Sequence, residues 1–215
     1  MESLDPATTL ALSLILAAVL LYWHLWRAVA FLKPTSVRLE VDTPGPTPVP
    51  GGLESVDSTL KSLGFSIIGT HLEHPWFTRA LLNYDYVNVE KKTFATVYRQ
   101  GTSAARFYFV SSAANGGSVL TANYRRPGAN VPGVYLAGGL EGVGAARLFK
   151  AHLRRLEEMP AVDVDFTIEG RVKQAAQWFA GIGVTELRRQ HAVGLMWAVG
   201  ALGIAGSALY RYLSQ

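Results

Sequence analysis

Nothing in the chain is as restrictive as the segment from Thr8 to Trp26, TTLALSLILAAVLLYWHLW, which contains no Asp, Glu, Lys or Arg. About 20 such residues, wound as a helix, cross the hydrocarbon core of a bilayer. A second charge-free run, Ala192 to Tyr210, reads AVGLMWAVGALGIAGSALY. It is rich in glycine, which lipid-embedded helices tolerate better than soluble ones. A cleaved signal peptide needs a basic start, a shorter apolar run and small residues at the cleavage site. Here the start carries Glu2 and Asp5, and the run ends in Tyr22, Trp23 and Trp26. An uncleaved anchor is therefore expected. Charged residues make up 17% of the 215-residue chain, against about 25% in an average soluble protein. The deficit lies in these two runs.

Lys and Arg near the span ends set the expected orientation. Arg27, Lys33, Arg38, Arg171, Lys173, Arg188 and Arg189 lie on the side of the intervening segment, and Arg211 on the other. The bias puts that segment in the cytoplasm, with both termini outside an inner, or cell, membrane. Arg27, Lys33, Arg171, Lys173, Arg188 and Arg189 are then candidates to meet anionic lipid headgroups. The net charge of +4 is spread near the spans rather than gathered in one basic block, so no nucleic-acid partner is expected.

Between the runs the period changes. Ser36 to Val41 alternates as a strand, and a Pro/Gly-rich arm covers 43–52. Leu53, Val56, Leu60 and Leu63 share one helical face, and Gly64 is the expected C-cap. Phe65 to Thr70, Asn83 to Val89, Thr93 to Arg99, Arg106 to Ser111 and Ser118 to Asn123 read as strands, with Val134 to Ala137 a shorter one. Asn115-Gly116 is a hairpin turn signal. Leu140 to Met159 reads as a helix and Val162 to Ile168 as a strand. The expected fold is α+β: a mainly antiparallel sheet with two covering helices, inserted between two transmembrane helices that form a hairpin.

The expected organisation is a short outer tail at 1–7, a first transmembrane helix at 8–32 and a cytoplasmic domain at 33–168. An amphipathic juxtamembrane helix and glycine bend follow at 169–183, then a helix at 185–213 containing the second span.

Candidate chemistry is sparse. The chain has no cysteine, which excludes thiolate metal sites and cysteine nucleophiles. There is no Gly-x-Ser-x-Gly nucleophile signature. His71-Leu72-Glu73-His74-Pro75 lacks the spacing of a zinc-protease helix and reads as a polar loop. The glycine run from Gly138 to Gly144 matches neither a P-loop, because no Lys-Ser/Thr follows, nor a dinucleotide fingerprint, because Arg147 stands where the third glycine belongs. No catalytic or metal site is assigned. His24 and His191 flank the same end of the two spans, and paired imidazoles from adjacent helices are a tetrapyrrole-ligating pattern. No cofactor is expected beyond that pattern. Gly200, Gly203 and Ser207 form a small-residue face on the second span, of the kind that lets helices approach closely. The partner there is the first span, other integral membrane subunits or a second copy.

The functional expectation is a non-catalytic accessory or scaffolding subunit of a larger bacterial-type membrane complex. The alternatives are a lipid- or ligand-sensing module, an accessory subunit of a respiratory or photosynthetic complex with a His-ligated tetrapyrrole, and a membrane-bound enzyme of unknown reaction.

Overall fold

A computed structural model describes residues 5–34, 37–75 and 79–214. The expected strand start at Ser36 and the tail acid Glu2 lie outside the described residues. The chain divides into two units: a helical pair built from residues up to 36 and from 179 onward, and a domain spanning 37–178. The fold is α+β, with an eight-stranded, mostly antiparallel sheet and five α-helices among the described residues.

In the helical unit, α1 (Pro6–Leu32) and α5 (Ile182–Leu213) are both long and apolar enough to cross a membrane. At 1.5 Å per residue they measure about 40 and 48 Å, beyond the roughly 30 Å required. Asp5 starts α1 by accepting hydrogen bonds from the Ala7 and Thr8 amides, and Pro6 fills the first position, where no amide is needed. The helices run antiparallel: His24 stacks on Trp197, Trp26 meets His191 edge-on, and Arg27 lies against Gly194. The seam is made of small residues, Ala17 and Ala28 on α1 and Gly194, Ala198 and Ala201 on α5. A Cβ on Gly194 would sit 2.2 Å from the Arg27 Cβ, so the approach requires glycine. Away from the seam, Leu12, Ile15, Leu16 and Val19 on α1 and Met196, Val199 and Leu202 on α5 are exposed.

The domain's sheet comprises β1 (Arg38–Pro44), β2 (Ser66–His74), β3 (Leu81–Asn88), β4 (Thr93–Tyr98), β5 (Arg106–Ser112), β6 (Ser118–Ala122), β7 (Ala129–Val131) and β8 (Tyr135–Gly139). The strands lie in the order β1-β2-β3-β4-β5-β6-β8-β7. The β6–β8 pair is parallel, and β7 closes the edge as a short antiparallel partner of β8. Asn115 and Gly116 both take positive φ in the turn between β5 and β6, as that dipeptide favours.

Helices α2 (Glu54–Ser62) and α3 (Ala145–Glu158) cover one face of the sheet. Leu53 and Leu60, with Leu148 and Phe149 of α3, pack there against Tyr84, Tyr86, Val97, Phe107 and Phe109. The Tyr86 hydroxyl donates to Asp57, which ties α2 to the sheet. The Pro/Gly-rich arm lies on the domain: its prolines point outward, and Val49 packs against this core. On the opposite face Val87, Phe94 and Val110 meet Val164 and Phe166, and α4 (Ile168–Ala180) follows.

Three elements depart from the sequence reading. Val162 to Ile168 is not a ladder strand. One bridge, Ala113 to Ala161, and a bond from the Val162 amide to the Ser112 carbonyl start it along the sheet. It then crosses the face as a covering segment, and Ile168 is already the first residue of α4. The alternation of Val164 and Phe166 reflects burial against the sheet rather than pairing. The helix expected from Leu140 begins only at Ala145, because Gly142 takes φ +71° in a turn before it. The segment from His71 to His74 is the end of β2 rather than a loop.

Candidate functional site

The face of the sheet opposite α2 and α3 carries a buried charged cluster. His71 on β2, Asp85 on β3, Thr96 on β4 and Arg171 on α4 are each nearly or fully inaccessible to solvent. A β-bulge in β2 between Ile67 and Gly69 puts His71 on this face. Phe65 and Ile67 point into the α2/α3 core, and unbroken alternation would carry His71 there too. The extra residue shifts the phase, so His71 pairs across from Asn83 and lies beside Asp85. Gly69 makes the bulge possible. Its φ is +147°, and a Cβ there would meet the Thr43 carbonyl at 2.5 Å.

His71 Nδ1 bonds the Asp85 Oδ2, and its Nε2 faces Glu73 at 3.5 Å. The Thr96 hydroxyl donates to Asp85 Oδ1 at 2.6 Å. Arg171 donates to the Thr96 hydroxyl from Nε and Nη2 at 3.2 and 3.0 Å, and to the Tyr108 hydroxyl at 2.6 Å. Its Nε lies 3.4 Å from Asp85 Oδ1. Burial alone would lower the His71 pKa, but the Asp85 carboxylate outweighs it and raises it to about 8. Burial likewise opposes ionisation of Asp85, yet the His71 imidazolium and the Arg171 guanidinium hold it below its ordinary range. At neutral pH the cluster therefore holds two cations, His71 and Arg171, around the Asp85 carboxylate, with Glu73 beside His71. Buried ion pairs persist when hydrogen bonds satisfy their remaining lone pairs and protons; here Thr96 and Tyr108 do this for Asp85 and Arg171, while His71 Nε2 has no hydrogen-bond partner among the described residues.

Structurally the cluster is a fastening between α4 and the sheet. A His–Asp pair suits a general base only if its outer nitrogen reaches a nucleophile or substrate. Here the outer nitrogen faces Glu73, and the one hydroxyl between the charges is engaged by both Asp85 and Arg171. What the cluster does is bind the first turn of α4 to three neighbouring strands, β3, β4 and β5.

A second buried histidine, His152 on α3, lies on the other face. Its Nε2 is 3.1 Å from the Ser111 hydroxyl and its Nδ1 3.0 Å from the Thr121 hydroxyl. Among the described residues no carboxylate orients the Ser–His pair; the other ring nitrogen faces the Thr121 hydroxyl. Burial, with Arg155 nearby, lowers the His152 pKa to about 3, so the ring is neutral and too weak a base to activate a serine. Arg155 itself turns inward from α3 to the Thr121 hydroxyl and the Leu120 and Gly138 carbonyls.

The expected site residues separate on the structure. Arg171, read as a headgroup contact, is 2% exposed and committed to the cluster, which corrects that assignment. Arg27, Lys33, Lys173, Arg188 and Arg189 are exposed; Arg27 also lies over the Trp26 ring, and Arg189 pairs with Glu186. His24 stacks on Trp197 and His191 lies edge-on to Trp26, so each packs on a tryptophan of the other helix. Gly200, Gly203 and Ser207 are exposed, and nothing lies within 4 Å of a Cβ built on either glycine. The seam with α1 uses Gly194, Ala198 and Ala201, a neighbouring stripe of small residues.

No protein-family model, no curated protein and no solved structure matches the chain.

Proposed function

We propose that this chain is a non-catalytic accessory or scaffolding subunit of a membrane protein assembly, anchored by two spans with its α+β domain in the cytoplasm and both termini outside. The observation that carries the reading is the division of labour on α5. One small-residue stripe, Gly194, Ala198 and Ala201, is consumed by α1. A second, Gly200, Gly203 and Ser207, is left open. In lipid, close helix packing rather than the hydrophobic effect drives association, and small faces permit it. A chain needing only an anchor has no use for two such stripes. The domain supports the same reading, because its buried titratable groups are bonded to one another rather than turned toward a substrate.

Purification at native abundance in mild detergent tests this by the mass of the particle. The proposal expects a complex larger than a single 23.3 kDa chain, lost when Gly203→Leu fills the open face. A monodisperse monomer for the unsubstituted chain contradicts it.

A further inference from the structure

The outer face of α3 holds the feature that the reading above leaves unused. Arg147, Lys150 and Arg154 follow at three- and four-residue spacing and line one open cavity of about 400 Å³, with Leu140 and Ala151 as its apolar part. All three cations are exposed, and none has a carboxylate partner among the described residues. Three other cations of the domain have a carboxylate partner, Lys61 with Asp57, Lys92 with Asp163 and Arg171 with Asp85, and exposed cations such as Arg79, Arg99 and Arg125 do not line this cavity. Like charges three or four residues apart on a helix repel, each pair at a small cost to the free helix. Here three converge on one concavity without a counter-charge.

We propose that this cavity is a binding site for a phosphate-bearing anion. Two guanidinium groups supply planar forks for phosphate oxygens, and the Lys150 ammonium adds a point charge. Two to three cations match the charge of a phosphate monoester. Leu140, 37% exposed at the rim, and Ala151 give the ligand's non-phosphate part an apolar contact. The loop before α3 is the glycine run that failed both nucleotide fingerprints. The site relies on side chains of the helix instead of a backbone cradle. The site is independent of the subunit role, and either stands if the other falls. The phosphate belongs to a soluble metabolite or to a lipid headgroup, and the two sources are separable.

The test uses the full chain in neutral detergent, with two probes followed by calorimetry: glycerol 3-phosphate and dihexanoyl phosphatidic acid. Equal affinity for both assigns the site to soluble phosphates; at least about tenfold tighter binding of the lipid assigns it to headgroups. In either case the triple variant Arg147→Gln, Lys150→Gln, Arg154→Gln should bind roughly 10- to 100-fold more weakly, and affinity should fall with added salt. A control triple at exposed cations elsewhere, Arg79→Gln, Arg99→Gln and Arg125→Gln, should bind as the unsubstituted chain does. No binding of either probe at millimolar concentration overturns the proposal, as does an equal loss in the control triple.

Discussion

Replacing Arg171 with methionine removes the charged residue that fastens the first turn of α4 to the sheet while keeping much of its apolar stem. The guanidinium gives up hydrogen bonds to the Thr96 and Tyr108 hydroxyls and an ion pair with Asp85, all buried. Breaking a buried pair by deleting one partner costs about 3–5 kcal/mol, chiefly because the other charge is stranded. Asp85 keeps the His71 imidazolium, so the lower end, about 3 kcal/mol, is expected. For a domain of this size that corresponds to a fall in midpoint of roughly 10 °C. The loss should be local first: amide exchange should accelerate in α4 well before it does in β3, β4 and β5. Adding Asp85→Asn to Arg171→Met should cost much less than the sum of the two single changes, since the stranded charge is then gone. Urea unfolding of the full chain in detergent, followed by near-UV circular dichroism, gives the energies, and hydrogen-exchange mass spectrometry gives the location. A variant within about 0.5 kcal/mol of the unsubstituted protein, or strictly additive costs, would refute the fastening role.

Two other perturbations follow. His71 has a folded pKa of about 8 against an ordinary 6.5, so its contribution, about 2 kcal/mol, is complete below pH 6.5 and lost as pH rises through 8. His152, held neutral with a pKa of about 3, acts in the opposite direction: its protonation in the unfolded chain removes about 3 kcal/mol by pH 4.5. Urea midpoints across pH should therefore peak near 6.5, and His152→Gln should flatten the acid limb alone; an unchanged acid limb would count against the assignment. In the helical pair, Gly194→Leu should destabilise the hairpin by about 1–3 kcal/mol, because its Cβ meets Arg27 at 2.2 Å. Gly203→Leu should leave the isolated chain's melting point unchanged, and tryptophan-fluorescence melts of both variants would expose any inversion of that order.

Much of the architecture was legible from periodicity. The two apolar runs, the antiparallel hairpins from β2 to β6 and the Asn115-Gly116 turn all depend on local chemistry and occur where it places them. The buried cluster was not legible, because it depends on a phase change. Alternation from Phe65 puts His71 on the wrong face, and only the bulge at Gly69 reverses it. The glycine inside an otherwise apolar strand was the available signal. Arg171 was misread for a related reason. On a helix beside a membrane span, an arginine resembles an interfacial anchor, and the acid that neutralises it lies on a strand far away in sequence. The parallel β6–β8 pair has no crossover helix to announce it. On α5, two small-residue stripes satisfy the same spacing rule, and only the phase fixed by Arg27, Trp26 and His24 decides which one faces α1.

A two-span topology with the domain in the cytoplasm is directly measurable, because the sequence has no cysteine. Single cysteines at the exposed positions Ser58, in α2, and Ser214, after α5, would be treated in intact cells with a membrane-impermeant maleimide. With both termini outside, Ser214→Cys should be labelled from outside and Ser58→Cys only after the membrane is opened, with both chains resisting alkaline extraction. Labelling of Ser58→Cys in intact cells, or release of the protein by alkali, would contradict that topology.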